Sequence, residues 1–510
     1  MKNISIKQIT ATALIALMVM GSGCAKLSEF GTTNENPNGI VNPVPAALLT
    51  NVLSQMGGFA ANVRKAVYAQ YVSENQYTET SLYALPQLEM SGTYFGPLQD
   101  MQTIINYNTD PKTSAAASAD GSNANQIAVA KIVKAYLYWI LTDSWGDIPY
   151  SQALLGAANL NPKFDKQEDI YFGMLKELKD AESGFDALAP AKGDILYNGN
   201  INAWKKFANS LRMLISLRMS NKYPAAGGLA AAEFAAAAAL PHIQTNAESA
   251  ILDYPDASGV YQNPWYLLYQ TRDDYASSKT MGDVLSGLAD SRVSVYGTNT
   301  TMFPYGLTRD LAIQYGNSVG NNQSRFIATM FRQQGSPVTI IGAPIVLLAR
   351  AEAKERGWIA GGTAGAEADY NAGITADFQE WGLTITGSYL IGAANYNSGA
   401  GVPGSIGAGT APYDNFRAAS SNIQDAATPD KLSRIALQRW LCAFPNGHEG
   451  WAEQRRTGVP NLKETRFKTG PFVNRYVYGT SDYGLNNANT VAAAAAIGGD
   501  TQQTKVWWDN

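Results

Sequence analysis

Apolar residues that recur at helical spacing constrain the fold of this chain most strongly. In Asn125–Thr142, the side chains of Val129, Val133, Tyr136 and Ile140 follow one another at intervals of four, three and four. Such a stripe is typical of the buried face of an amphipathic helix. Similar stripes predict further helices near residues 46–57, 60–74, 96–107, 165–178, 204–218, 228–239 and 430–443. Trp145 and Trp204 lie on these stripes, and we expect both to be core residues.

Two more signals refine the helical interpretation. Asp165 and Glu168 have the spacing of a capping box and predict a helix that begins between them. A pair of helices is predicted near 343–381, with small residues at the crossing and Tyr370 placed four residues before Ile374. This pair resembles a tetratricopeptide hairpin, although the repeat period is imperfect.

Long irregular segments separate the helical ones. Residues 241–340 mix Tyr, Pro, Gly and Asn, while residues 387–428 are rich in Gly, Ala and Ser and show little periodicity. Loops of this length inside a globular chain are usually functional or mobile. The sequence therefore predicts a helical scaffold that carries large irregular insertions.

The N-terminus has the features of an export signal. Lys2 and Lys7 precede a short apolar run, Ile9–Met20, and small residues then lead to Cys24. The run is too short to span a bilayer, which favours a cleaved signal peptide over residues 1–23. We expect Cys24 to be the lipidated first residue of a bacterial lipoprotein, with residues 24–45 as a tether. An ordinary secretory signal that happens to contain a cysteine is the alternative.

Composition argues against several classes of function. The formal net charge is −4 and only 16% of residues are charged, so no basic stripe is available to bind nucleic acid. The chain has two histidines, which leaves little material for a metal site or a histidine-based triad. With Cys24 lipidated, Cys442 stands alone in an apolar setting and is expected to be a buried thiol. The sequence therefore predicts no cofactor, no metal and no catalytic residue. A surface hydrolase with two distant carboxylates is a less favoured alternative.

Several segments, taken in order, resemble one known family. Phe30–Asn38 resembles the segment that follows its lipid anchor, and Tyr136–Tyr150 resembles its helix that ends in a D-x-x-G-D-[IV]-P-Y turn. Leu347–Ala353 resembles a later repeat helix, and Asn474–Tyr478 resembles part of the closing segment. The family is SusD/RagB, the outer-membrane nutrient-binding lipoproteins of Bacteroidetes, and the resemblance favours its SusD-like subfamily.

The resemblance implies a mainly α fold, in which tetratricopeptide-like helix pairs cradle an irregular, loop-rich half that binds the ligand. We expect a single domain over 46–510, with helical repeats at about 46–240 and 343–381. The implied protein is anchored by lipid to the outer membrane, faces the cell exterior and is not an enzyme. It would bind an oligosaccharide nutrient and deliver it to a SusC-like TonB-dependent transporter, which it covers as a lid. The RagB branch takes up peptides, so a peptide ligand is the main alternative. A transporter subunit without its own ligand preference comes third.

A saccharide binder presents Trp and Tyr rings to sugar faces and polar side chains to the hydroxyl groups. The segment 260–275 concentrates such residues, and the loop between the early helices holds a second group of tyrosines. The candidate ligand-binding residues are Tyr261, Trp265, Tyr266, Arg272 and Asp273 in the first group, and Tyr77, Tyr83 and Tyr94 in the second. Core packing is an equally weighted alternative for Trp265 and Tyr266, and an ion pair with a nearby carboxylate is the favoured role for Arg272.

Overall fold

The computed structural model describes the chain from residue 42 to residue 509, with internal gaps. The described residues are 42–86, 88–255, 261–299, 302–308, 310, 312, 323–386, 389–390, 431–462, 465 and 467–509. Cys24, the predicted signal peptide, most of the predicted tether and nearly all of the insertion at 387–428 lie outside them. Val44–Asn510 forms one unit by its internal contacts.

Helices form most of the regular structure, as the sequence predicts. The longer ones are α1 (Pro45–Ala60), α2 (Val63–Tyr68), α3 (Gln99–Thr109), α4 (Asn123–Trp145), α5 (Gln167–Gly184), α6 (Ile201–Arg218), α7 (Leu229–Ala238), α8 (Lys279–Gly287), α9 (Ala343–Glu355), α10 (Gly362–Glu380), α11 (Lys431–Cys442), α12 (Gly447–Thr457), α13 (Thr480–Leu485) and α14 (Asn487–Ala496). Single helical turns lie at Ser91–Thr93, Ser114–Ala117 and Pro264–Leu267.

The strands are short and form two-stranded antiparallel sheets. They are β1 (Val72–Glu74), β2 (Ile148–Pro149), β3 (Phe164–Asp165), β4 (Ala250–Leu252), β5 (Tyr275–Ser277) and β6 (Val338–Ile341). β1 pairs with β5, β2 with β3, and β4 with β6. Since two of these three pairs join segments far apart in the chain, the strands fasten the irregular segments to the helical body.

Helices that follow one another in the chain pack together, and the mainly α, tetratricopeptide-like fold is confirmed. α4 contacts α3, α5 and α6 and is buried along most of its length. α9 packs along α10, and Gly373 lies at their crossing. A Cβ atom at Gly373 would lie 2.8 Å from Cγ of Leu348. A larger residue would therefore push the pair apart, as the predicted small residues at this crossing imply.

Several detailed predictions are confirmed and two are wrong. Trp145, Trp204 and Cys442 are buried. The helix predicted over 60–74 is interrupted, because α2 ends at Tyr68 and the chain then enters β1. Asp165 does not cap α5, since its carboxylate accepts hydrogen bonds from the backbone of Tyr150 and Ser151 instead. Within the described part of the chain, no helix is both long and apolar enough to cross a membrane.

Candidate functional site

Pairing of β1 with β5 brings together two segments that are about two hundred residues apart. The register places Glu74 opposite Tyr275. Just beyond the pair, Asn75 donates a backbone hydrogen bond to the carbonyl of Asp274 at 2.9 Å and a side-chain bond to the carbonyl of Asp273 at 2.9 Å. Tyr77 and Arg272, which belong to separate groups of predicted ligand residues, therefore become neighbours.

These neighbours surround an open polar cavity of about 580 Å³, which we call the Tyr77 cavity. Its walls consist of Gln76, Tyr77, Thr271, Arg272, Asp273, Asp274 and Tyr275. The volume falls within the range of roughly 300–1,000 Å³ that is typical of ligand pockets. Three of the eight predicted ligand residues, Tyr77, Arg272 and Asp273, line this cavity.

Tyr77 presents its ring to solvent, with 64% of the residue exposed. Its backbone has a φ of 53°, in the left-handed region that non-glycine residues rarely adopt. The guanidinium carbon of Arg272 lies 4.5 Å from the ring centroid. This cation–π contact lies over the ring, while most of the residue remains exposed to solvent.

Two ion pairs order the charged groups of the cavity. Nε of Arg272 lies 2.5 Å from a carboxylate oxygen of Asp274, which confirms the expected ion pair of Arg272. Nε of Arg325 lies 3.1 Å from Asp273. The adjacent carboxylates thus diverge toward different arginines, so they hold polar groups in place and do not converge on one bond as a pair of glycosidase carboxylates does.

The structure places Trp265 and Tyr83 in the core and outside the Tyr77 cavity, so their burial favours core packing, the alternative already weighed for Trp265. Only 2% of Trp265 is exposed, and its ring packs edge-on against Phe326 with the centroids 4.8 Å apart. Asn263 caps the helical turn at this point by accepting hydrogen bonds from the backbone of Trp265 and Tyr266, and the turn places the indole in the interior. Tyr83 is fully buried and contacts the ring of Phe472.

The other three predicted residues lie outside the Tyr77 cavity. Tyr261 is half-buried against the ring of Tyr254, with the centroids 5.5 Å apart. Tyr266 is also half-buried. The hydroxyl of Tyr94 donates a hydrogen bond to the carbonyl of Pro149 at 2.5 Å, and burial raises the pKa of Tyr94 well above its usual value. Tyr94 belongs to a different cleft, whose lining includes Phe95.

The sequence interpretation missed several residues of the cavity. Gln76, Thr271, Asp274 and Tyr275 line it, and Arg325 borders it through Asp273. Gln76, Thr271 and Asp274 adjoin predicted residues in the chain and Tyr275 lies two positions from Asp273, so widening each patch by two residues would have found them. Arg325 carries no local signal, because it reaches the cavity only through the tertiary fold.

His448 and Lys65 form a buried contact away from the Tyr77 cavity. His448 lies with Nδ1 3.1 Å from the amine of Lys65, and burial lowers the pKa of His448 well below its usual value. Neither residue lines the Tyr77 cavity. Among the residues that the structure describes, no group of three or more His, Cys, Asp and Glu side chains is arranged to hold a metal ion.

Comparison with solved structures supports the fold. A SusD homologue from Bacteroides uniformis has a TM-score of 0.70 at 22% identity, over 92% of this chain and 100% of that one. A SusD homologue from Bacteroides fragilis gives a TM-score of 0.69 at 22% identity, over 92% and 99% of the two chains. A chitin-binding SusD homologue from Flavobacterium johnsoniae gives 0.68 at 24% identity, over 91% and 98%. No significant match is found among curated proteins.

A family profile covers most of the chain. The SusD-like profile, described as starch-binding and associating with the outer membrane, matches residues 37–478. The match includes α1 to α12 and all the residues of the Tyr77 cavity. The chain therefore belongs to the SusD-like family of outer-membrane-associated nutrient-binding proteins.

Proposed function

We propose that the protein binds an oligosaccharide in the Tyr77 cavity and does not alter it chemically. The observation that carries this proposal is the meeting of an exposed Tyr77 ring with Arg272 and Asp273 in one open polar cavity. A sugar ring offers an apolar C–H face that can pack on the exposed ring of Tyr77. Its hydroxyl groups would donate hydrogen bonds to the carboxylates of Asp273 and Asp274. They would accept hydrogen bonds from the side-chain amide of Gln76 and the guanidinium of Arg272.

The two ion pairs support binding without catalysis. Asp273 and Asp274 are held in separate ion pairs with different arginines, so the two carboxylates do not face a single glycosidic bond. A peptide ligand is the alternative, since an arginine and two carboxylates also suit peptide termini and charged side chains.

The proposal extends to where the protein works. We propose that Cys24 carries the lipid anchor, that the cavity faces the cell exterior and that a SusC-like TonB-dependent transporter receives the ligand beneath the protein. The resemblance of the N-terminal segment and the family's association with the outer membrane support this arrangement. A Cys24→Ser variant should be released from the outer membrane, and retention of the variant there would contradict the anchor.

Calorimetric titration tests the ligand class. Purified protein is titrated with starch-derived and chitin-derived oligosaccharides and with a panel of mixed peptides, and unchanged ligand is verified by chromatography afterwards. We expect binding within the saccharide panel and no shortened products. Binding of peptides alone would replace the saccharide with a peptide, and the appearance of shorter products would overturn the non-catalytic role.

A matched pair of tyrosine variants locates the site. Tyr77→Ala removes the exposed ring and should weaken saccharide binding by roughly tenfold, since one ring contact contributes on the order of 1 kcal/mol beyond its buried area. Tyr266→Ala removes a half-buried tyrosine outside the cavity and should leave the affinity unchanged. If Tyr266→Ala weakens binding and Tyr77→Ala does not, the ligand binds elsewhere.

A further inference from the structure

A second cavity, separate from the Tyr77 cavity, lies where the ends of two helices meet the β4–β6 sheet. It has a volume of about 310 Å³ and shares no lining residue with the first. Ala60 and Ala61 approach it from the end of α1, Thr339 from β6, and Glu380 and Trp381 from the end of α10. We call it the Glu380 cavity. Its volume is at the small end of ligand pockets, which suits a single small group.

Glu380 is the one ionisable side chain among the described residues that line this cavity. One of its oxygens accepts a hydrogen bond from the hydroxyl of Thr339 at 2.5 Å. In the described part of the chain, no lysine or arginine forms an ion pair with Glu380. Burial, reinforced by the negative charge of Asp377, raises the pKa of Glu380 to about 7. Glu380 is half-buried, so its carboxylate carries a desolvation penalty that no cation among the described residues offsets.

The rest of the wall is largely apolar and aromatic. Trp265, Trp381 and Phe331 line it, and the rings of Phe331 and Trp381 meet edge-on with centroids 5.0 Å apart. Met330 also lines the cavity and is 68% exposed, so it marks the side that is open to solvent. An apolar wall with one unpaired carboxylate complements a cation that carries a hydrocarbon body, because the carboxylate meets the charge and the rings meet the carbon atoms.

We propose that the Glu380 cavity binds an organic ammonium group on a short apolar body. The ammonium would donate hydrogen bonds to Glu380, and the body would pack against Trp381 and Met330. Such a group occurs both on amino sugars and on lysine side chains. The cavity would thus recognise a feature of the ligand that the Tyr77 cavity does not.

Titration of simple probes at pH 8 tests the charge requirement. Hexylammonium should bind at least tenfold more tightly than the neutral hexan-1-ol, and Glu380→Gln should remove this preference. Glu182→Gln, which removes a carboxylate on α5 away from the cavity, is the matched control and should change nothing. Equal binding of the two probes, or an ammonium preference that survives Glu380→Gln, would overturn the proposal.

A second variant keeps the test valid if Glu380→Gln folds poorly. Met330→Lys places a cation at the exposed edge of the cavity without disturbing the core, and it should weaken hexylammonium binding by about threefold or more through like-charge repulsion. An unchanged affinity would count against the site.

Natural sources of the ammonium group can be separated with two further probes. Tighter binding of D-glucosamine than of N-acetyl-D-glucosamine would support an amino sugar, and binding of Nα-acetyl-L-lysine amide would support a peptide side chain. Failure of both together with hexylammonium would exclude the site. The two cavities share no lining residue, so Tyr77→Ala should leave these titrations unchanged.

Discussion

Arginines meet carboxylates in two regions of this molecule, under opposite conditions. In the interior, Arg456 lies 2.6 Å from Glu352 and 2.5 Å from Glu453, and all three side chains are buried. At the Tyr77 cavity, Arg272 and Asp274 lie 2.5 Å apart, and the arginine is largely exposed. Each pair joins an arginine to a carboxylate at a similar distance, but water reaches only the second region.

The difference in solvation gives these pairs different roles. Removing the partner of a buried charge lowers the free energy of unfolding by a large amount, so the interior network must stay intact for the protein to remain folded. An exposed pair contributes little to stability, because water solvates each partner and competes for it. The exposed pairs can therefore exchange partners with a ligand, whereas the buried network cannot. Four substitutions test this distinction.

The largest effect is expected in the interior. Glu453 also binds Arg439, with Nε of the arginine at 3.0 Å. Burial alone would raise the pKa of Glu453, but Arg439 and Arg456 outweigh it and hold that pKa well below its usual value. Glu453→Gln leaves these arginines short of one negative charge and should lower the free energy of unfolding by roughly 3–5 kcal/mol, as measured by denaturant titration.

A matched change at the surface provides the control. Asp273→Asn breaks the pair with Arg325, in which both side chains are about 40% exposed. The free energy of unfolding should fall by less than about 1 kcal/mol. Comparable losses in the two variants would remove the distinction between the regions.

Sequence patterns predicted the interior better than the cavity. The stripe in α4 and the small residues near Gly373 reveal helices and their crossing, because a helix buries one face at a fixed local spacing. No local pattern shows whether an aromatic ring in an irregular segment turns inward. Trp265 packs on Phe326, sixty-one residues further along, and this contact determines its burial.

The Tyr77 cavity shows that local sequence patterns also fail to reveal which distant residues meet in the fold. Its residues were named from composition, but their juxtaposition depends on the pairing of β1 with β5. The prediction of a helix over 60–74 concealed β1, so no sequence argument joined Tyr77 to Arg272. Glu380 went unnoticed, since an unpaired carboxylate is defined by what surrounds it and not by its neighbours in sequence.

A smaller effect is expected at Arg272. Arg272→Gln removes the cation from one face of Tyr77 and the partner of Asp274. The ring loses a contact of roughly 0.5–1 kcal/mol, so saccharide affinity should fall by about twofold to fivefold while the melting temperature hardly changes. Calorimetric titration and a thermal melt of the same sample measure both.

Arg325→Gln is the control, because Arg325 lies over Tyr269 and not over Tyr77, and its effect on affinity should be smaller. A large drop in melting temperature for Arg272→Gln would assign it to the core.

The smallest effect concerns Glu380, which is half-buried and has no arginine partner among the described residues. Its pKa is about 7 in the folded protein, above the value near 4.3 of an unfolded chain. The stability linked to this group is thus greatest below about pH 4.3 and is lost as the pH rises through 7. Asp377, the other acid beside it, already has a partner in Arg292 at 2.7 Å. Glu380→Gln should therefore raise the melting temperature by roughly 1–3 °C at pH 8 and change it little at pH 5. Glu182→Gln should show no such dependence on pH.

An equal shift of Glu380→Gln at both pH values would mean that the carboxylate is solvated or paired, and Glu380 would then belong with the exposed arginine pairs. A shift confined to high pH would show that burial without a partner costs stability, which an ammonium ligand could restore.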